Sequence, residues 1–235
     1  MKTYIWSIPT RIFHWLLAIG FTVTYILSDF DNLRNFHFAF GGLVGSLLFF
    51  RLLFGLIGPK YSNFSNFPLG LKNQKEFITT YFSKTPKQFP GHNPLASIII
   101  FFIICVGIIT SISGYFLYAT DNIALNIGLS EDFLEETHEI TANLFLVLVI
   151  IHLLGMIADK FFHSKTGTLN SIFTGYKNID SENIKLNSFQ KIFSLLWLII
   201  PFIIFYLAYN LPVNTKENEN ENEKETKEYY DSDYD

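Results

Sequence analysis

The sequence predicts an all-α membrane protein, a four-helix transmembrane bundle followed by a fifth, C-terminal transmembrane helix. Three observations point there. Of 235 residues, 49% are hydrophobic and only 16% charged, with a mean hydropathy of +0.27. The apolar residues are bunched into five runs, each near the ~20 residues that cross roughly 30 Å of hydrocarbon. Several of the few ionisable groups in those runs are histidines, where such groups are rare and costly.

The runs cover about 11–28, 37–58, 95–119, 138–159 and 189–210. The first lacks a clean small-residue cleavage site after Tyr25 and is expected to be retained. Residues 59–94 and 160–188 are polar connections, and "TLNSIFTGYK" in the second is expected to lie along the membrane surface. Pro201 should kink the fifth run, because the carbonyl four residues earlier loses its donor. The end, "NTKENENENEKETKEYYDSDYD", has no apolar face and reads as disordered. Three units follow: a transmembrane domain over 1–177, a linker and extra transmembrane helix over 178–211, and an acidic tail over 212–235. Cys105 stands alone, which excludes a disulfide framework or a cysteine-held metal.

Charge orients the bundle. Lys60, Lys72, Lys75, Lys84 and Lys87 follow the second run, and Lys160, Lys165, Lys177, Lys185 and Lys191 follow the fourth. The 119–137 connection instead carries Asp121, Glu131, Asp132, Glu135 and Glu136, with no Lys or Arg. Lysine and arginine accumulate on the cytoplasmic side. The N-terminus is therefore expected on the cytoplasmic side of the membrane and the C-terminus on the opposite side.

Four histidines fall at two depths in this topology. His37 and His138 share the outer level, and His14 and His152 the inner one. His138 and His152 are fourteen residues apart, roughly 21 Å along a helix and only about 40° apart around it. One metal cannot use both. Two sites can, if each takes a second imidazole from another helix at its own depth. That arrangement suits a planar macrocycle between two axial ligands and points to two bis-histidine haem b groups. Gly20, Gly41, Gly42, Gly45, Gly107 and Gly114 are small residues of the kind that let helices make room, although packing alone also favours them.

"IPTRIFHWLLAI", "FHFAFGGLVGSLLFFRLLFGLIG", "GHNPLASIII" and "HEITANLFLVLVIIHLLGMI" together resemble the bacterial cytochrome b561 family, which includes the b-type cytochrome subunit of nickel-iron hydrogenases. The resemblance spans about 3–177. By motif it implies His14, His37, His138 and His152 as the haem ligands, paired as their depths pair them. It does not extend to the fifth run or the tail.

Other residues have two readings. Arg51 either pairs with propionates of the inner haem or snorkels to the interface. His92, in "PGHNPL", either flanks a propionate or quinone or belongs to a helix-start turn, and the turn is preferred. His163 reads as an interface residue, Glu139 as solvent-facing, and Cys105 as packing. The tail is either a solvated end or a docking segment for a basic periplasmic protein.

The expected function is electron transfer between a periplasmic redox partner (a hydrogenase, a dehydrogenase or a cytochrome c) and the quinone pool of a respiratory chain. The chain carries no iron–sulfur cysteine motif and no dinucleotide fingerprint, so substrate chemistry would reside on other subunits; nucleic acid is no partner. Two alternatives stand beside it. A stand-alone quinone or superoxide oxidoreductase would face the acidic outer connection, which repels anions. A histidine-dependent transporter would want a continuous polar path, and the first four runs offer almost none.

Overall fold

The computed structural model describes residues 1–83, 86–123 and 128–211, with the side chains of 121–123 excluded. The acidic tail and Lys84 lie outside the described residues. Each of the five apolar runs is a helix long enough to cross a membrane: α1 (Ile8–Leu27), α2 (Arg34–Ile57), α4 (Pro94–Ile123), α5 (Glu131–Phe162) and α7 (Ser188–Tyr209). Two shorter helices, α3 (Leu71–Thr80) and α6 (Thr168–Thr174), lie in the polar connections.

Local chemistry sets the ends. Ser7 caps α1, accepting from the Thr10 amide, with Pro9 in the first turn where a missing N–H costs nothing. α5 starts earlier than its apolar run. Ser130 caps it at the Phe133 amide, Glu131 and Asp132 occupy its positive first turn, and Lys160 its last. His138 therefore sits two turns inside the helix and not at its mouth. α7 opens with a reciprocal cap between Asn187 and Gln190.

α2 is the most buried span and organises the rest. α1, α4 and α7 all pack on it, and α5 packs along α4. The fifth span thus covers α2, through Phe193 and Trp197 against Phe50 and Phe54, and Trp197 Nε1 donates to the Ser46 carbonyl at 3.0 Å. Between the two histidine depths lies an apolar plug of Val44, Leu48, Ile103, Val106, Phe145 and Leu148.

α1 and α5 do not pack closely backbone to backbone. Side chains bridge them: Phe21 stands 4.4 Å from Phe145, and the Tyr25 hydroxyl donates to Asn143 Oδ1 at 3.0 Å. This seam leaves room at one end.

That end carries a cap built from distant segments. Two short strands, β1 (Thr3–Tyr4) and β2 (Tyr176–Lys177), pair antiparallel with Thr3 opposite Lys177. Gly175 precedes β2 at φ 88°, and its carbonyl accepts from the amides of Ile5 and Trp6. Ile5, Trp6, Tyr61, Ile179 and Ile184 form a small core beneath. Residues just after 177 are therefore packed onto the chain's first turn of structure.

Candidate functional site

His37 and His138 come together. α2 presents one and α5 the other, with ring centroids 6.2 Å apart and planes at 80°. Each ring is held from behind by a main-chain carbonyl. His37 Nδ1 lies 2.9 Å from the Thr24 carbonyl oxygen of α1, and His138 Nδ1 lies 3.0 Å from that of Thr110 on α4. A carbonyl only accepts, so both Nδ1 atoms carry the proton and both Nε2 atoms are left with a free lone pair. Carbonyl-oriented imidazoles of this kind are the usual form of metal-ligating histidine.

The spacing tests the group the sequence suggested. With about 2 Å from metal to nitrogen on each side and roughly 1 Å from nitrogen to ring centre, two axial imidazoles need centroids about 6 Å apart. The observed pair satisfies this. Two glycines also make room: a β-carbon on Gly114 would stand 2.7 Å from His138 Cε1, and nothing lies within 4 Å of one on Gly41, a turn beyond His37. Among the described residues no group of three or more His, Cys, Asp or Glu could hold a metal. A macrocycle that supplies four nitrogens itself asks for only two.

His14 and His152 line a single cavity of about 780 Å³ between α1, α4, α5 and the cap. His14 Nδ1 is enclosed and has no hydrogen-bond partner. An orphaned buried nitrogen is uncommon and calls for a ligand. The walls are mostly apolar, including Phe13, Leu17, Ile99, Ile103 and Phe145, and Gly155 lies in the wall a turn beyond His152. Pockets of this size and character take largely apolar ligands with a few polar anchors. The His37–His138 spacing fits a haem held by two histidines, and the cavity beside His14 and His152 has room and apolar walls for a second.

The polar anchors lie at the capped end. Arg51 is buried in the cavity wall, its Nη1 donating to the Ser62 carbonyl at 3.0 Å. It does not snorkel. His92 lines the same wall between the rings of Trp6 and Phe67, at 4.8 and 5.1 Å. Burial, then the charges of Arg51 and Lys177, hold its pKa well below the ordinary histidine value. Lys177 is also there, 4% exposed, and burial lowers its pKa to about 8. Nothing in the sequence separated Lys177 from the lysines around it, because its burial depends on a two-residue strand. His163 serves structure, closing α5 with Nδ1 3.3 Å from Asp159 and Nε2 3.0 Å from the Tyr81 carbonyl oxygen. Glu139 is exposed, and Cys105 is half-buried with a free thiol.

Comparison with known proteins follows the same lines. A family model described as prokaryotic cytochrome b561 matches residues 5–175. The chain is 22% identical over 223 residues to a probable Ni/Fe-hydrogenase B-type cytochrome subunit of Rhodobacter capsulatus, covering 78% of this chain and 84% of that protein. It is 25% identical over 142 residues to a protein of the same description from Azotobacter vinelandii, covering 49% of this chain and 59% of that one. No solved structure matches it significantly.

Proposed function

The chain belongs to the prokaryotic cytochrome b561 family, and from that premise we propose that it is the two-haem cytochrome of a membrane hydrogenase or related dehydrogenase, carrying electrons from a periplasmic partner to quinone. Family membership makes it a haem b protein of membrane electron transfer. The finer statement rests above all on the pair His37 and His138, each carbonyl-oriented, at a spacing suited to a shared iron.

When bound, haem supplies a one-electron carrier whose potential is set by its axial ligands and surroundings. The chain's own residues do the rest. His37 and His138 would hold one group, and His14 and His152 the other. Thr24 and Thr110 fix the ring orientations through their carbonyls. A haem held by a histidine pair would leave small ligands no open position, which favours electron transfer over oxygen chemistry. The plug around Phe145 keeps water from the space between the levels. Arg51 offers its guanidinium to the cavity holding His14 and His152.

Exposed lysines 60, 72, 75, 87, 160 and 165 gather in the connections at the His14–His152 end, and exposed Glu131, Asp132, Glu135 and Glu136 at the other. This supports a cytoplasmic N-terminus and a periplasmic His37–His138 level in an inner membrane. The hydrogenase assignment draws on the descriptions of the two relatives. Haem per chain, measured as pyridine haemochrome on the purified full-length protein, tests the reading. Two are expected, and one or none would overturn it.

A further inference from the structure

The capped end of the cavity holds more positive charge than the chain neutralises. Arg51 and Lys177 are 6% and 4% exposed, whereas every other described lysine is exposed. Neither enters an ion pair among the described residues. Each makes one hydrogen bond to a carbonyl, Arg51 to Ser62 at 3.0 Å and Lys177 to Gly91 at 2.7 Å. A guanidinium has five N–H donors and an ammonium three, so most stay free. The carboxylate in the wall, Asp159, offsets part of the Lys177 charge and also lies 3.3 Å from His163 Nδ1. Two buried cations facing a single carboxylate are costly unless a further anion arrives.

The two are also rigidly held. The Arg51 guanidinium lies 4.8 Å over Phe64 and 5.9 Å over Phe67; Phe67 contacts His92, His92 contacts Trp6, and Lys177 Nζ lies 5.7 Å over Trp6. Cations thus bracket an aromatic row. In its middle, His92 has an enclosed Nδ1 with no partner. Cation–aromatic contacts of this kind hold charge in place but leave its hydrogen-bonding capacity unused. The cavity is therefore two-ended, with an apolar body between α1, α4 and α5 and a doubly cationic end under the cap. Its complement is a flat apolar molecule with two carboxylates on one edge.

We propose that Arg51, Lys177 and His92 form a dicarboxylate clamp that takes the two propionates of the haem held by His14 and His152. The proposal rests on the two-haem reading above. Arg51 and Lys177 each match one propionate in charge, and His92 contributes a hydrogen bond. Lys177 comes from β2, whose partner strand is the chain's first, so binding the propionates also ties the cap to the bundle. A charge-assisted hydrogen bond lost from such a site should weaken binding about tenfold or more.

The test uses the full-length chain in detergent, stripped of haem and reloaded with iron protoporphyrin IX or its dimethyl ester, in which both carboxylates are masked. Loading is followed at the signal that His14→Ala removes. The wild type should hold haem there about tenfold tighter than the ester. Lys177→Met and Arg51→Met should lose that preference while binding the ester as wild type does, and Lys177→Arg should restore it. The midpoint potential of that haem should also fall in both Met variants, because an uncompensated propionate favours the ferric state. If wild type bound haem and ester equally, or if the Met variants held haem with unchanged affinity and potential, the clamp would be wrong and the two-haem reading would stand. A wild-type chain that took up fewer than two haems would sink both. The ester arm needs no variant, so misfolding cannot mask the result.

Discussion

Gly114 of α4 and His138 of α5 touch so closely that a β-carbon at 114 would stand 2.7 Å from His138 Cε1 and 3.0 Å from Nδ1. The same ring takes its orientation from the Thr110 carbonyl, one turn earlier on α4. One helix therefore sets both the room for the imidazole and its direction. A single methyl should disturb both.

Gly114→Ala should displace the His138 ring and lower occupancy of the His37–His138 haem, leaving the other near wild type. Haem per chain would drop from two towards one. Gly107→Ala is the control for this level: its β-carbon would meet Leu48 Cδ1 at 2.6 Å and Phe145 Cε1 at 2.9 Å, within the plug and away from His37 and His138. It should destabilise the fold by about 1–3 kcal/mol through overpacking, without selective loss of the His37–His138 haem. Equal loss of both haems in Gly114→Ala would argue against a local role.

The pairing of ligands is open to a direct check. His37→Ala and His138→Ala should remove the same component from the reduced-minus-oxidised spectrum, and His14→Ala and His152→Ala the other. Loss of one common component in His14→Ala and His138→Ala would refute the pairing.

How far the site could be read in advance depended on what kind of atom does each job. The four histidines stood out because ionisable side chains in apolar runs are expensive. Their orienting groups did not, since Thr24 and Thr110 act through main-chain carbonyls that any residue carries. Lys177 looked like one more basic residue of a cytoplasmic connection. Only pairing of β2 with the N-terminal strand, four residues in all, buries it. His92 read as part of a turn because Asn93 does cap the next helix, accepting from the Ala96 amide at 2.8 Å, and the cavity beside it is assembled from segments far apart in the sequence. α5 begins seven residues before its apolar run because a serine cap and acidic first-turn residues extend the helix beyond its lipid-facing part.

The fifth span should stabilise the bundle by holding α2. Gln190 Nε2 donates to the Ile57 carbonyl at 2.7 Å, satisfying an orphan acceptor in the last turn of α2, while its Oε1 accepts from the Asn187 amide. Gln190→Ala removes both and should cost about 1–2 kcal/mol. Trp197→Phe keeps the aromatic packing, loses the bond to Ser46 and should cost about 1 kcal/mol. Thermal unfolding in detergent would show it, with haem content intact in each variant. No change in either midpoint would mean that α7 merely accompanies α2.

Lys177 should give the haem-free protein an alkaline signature. Burial lowers its pKa from 10.5 to about 8, and Asp159 opposes only part of that. Between about 8 and 10.5 the unfolded chain therefore binds a proton that the folded chain has released. Stability rises with pH wherever the unfolded state binds more protons, so the haem-free fold should gain stability through this window and show no pH dependence from Lys177 below it. With a propionate beside it, the ammonium is retained and its pKa returns upward, so the gain should vanish once haem is bound. Unfolding midpoints from pH 7.5 to 10.5, with and without haem, would show the slope in one series and not in the other. Lys177→Met should be flat in both. A haem-free wild type as flat as Lys177→Met would mean that Lys177 is solvated and that its end of the cavity is open to water.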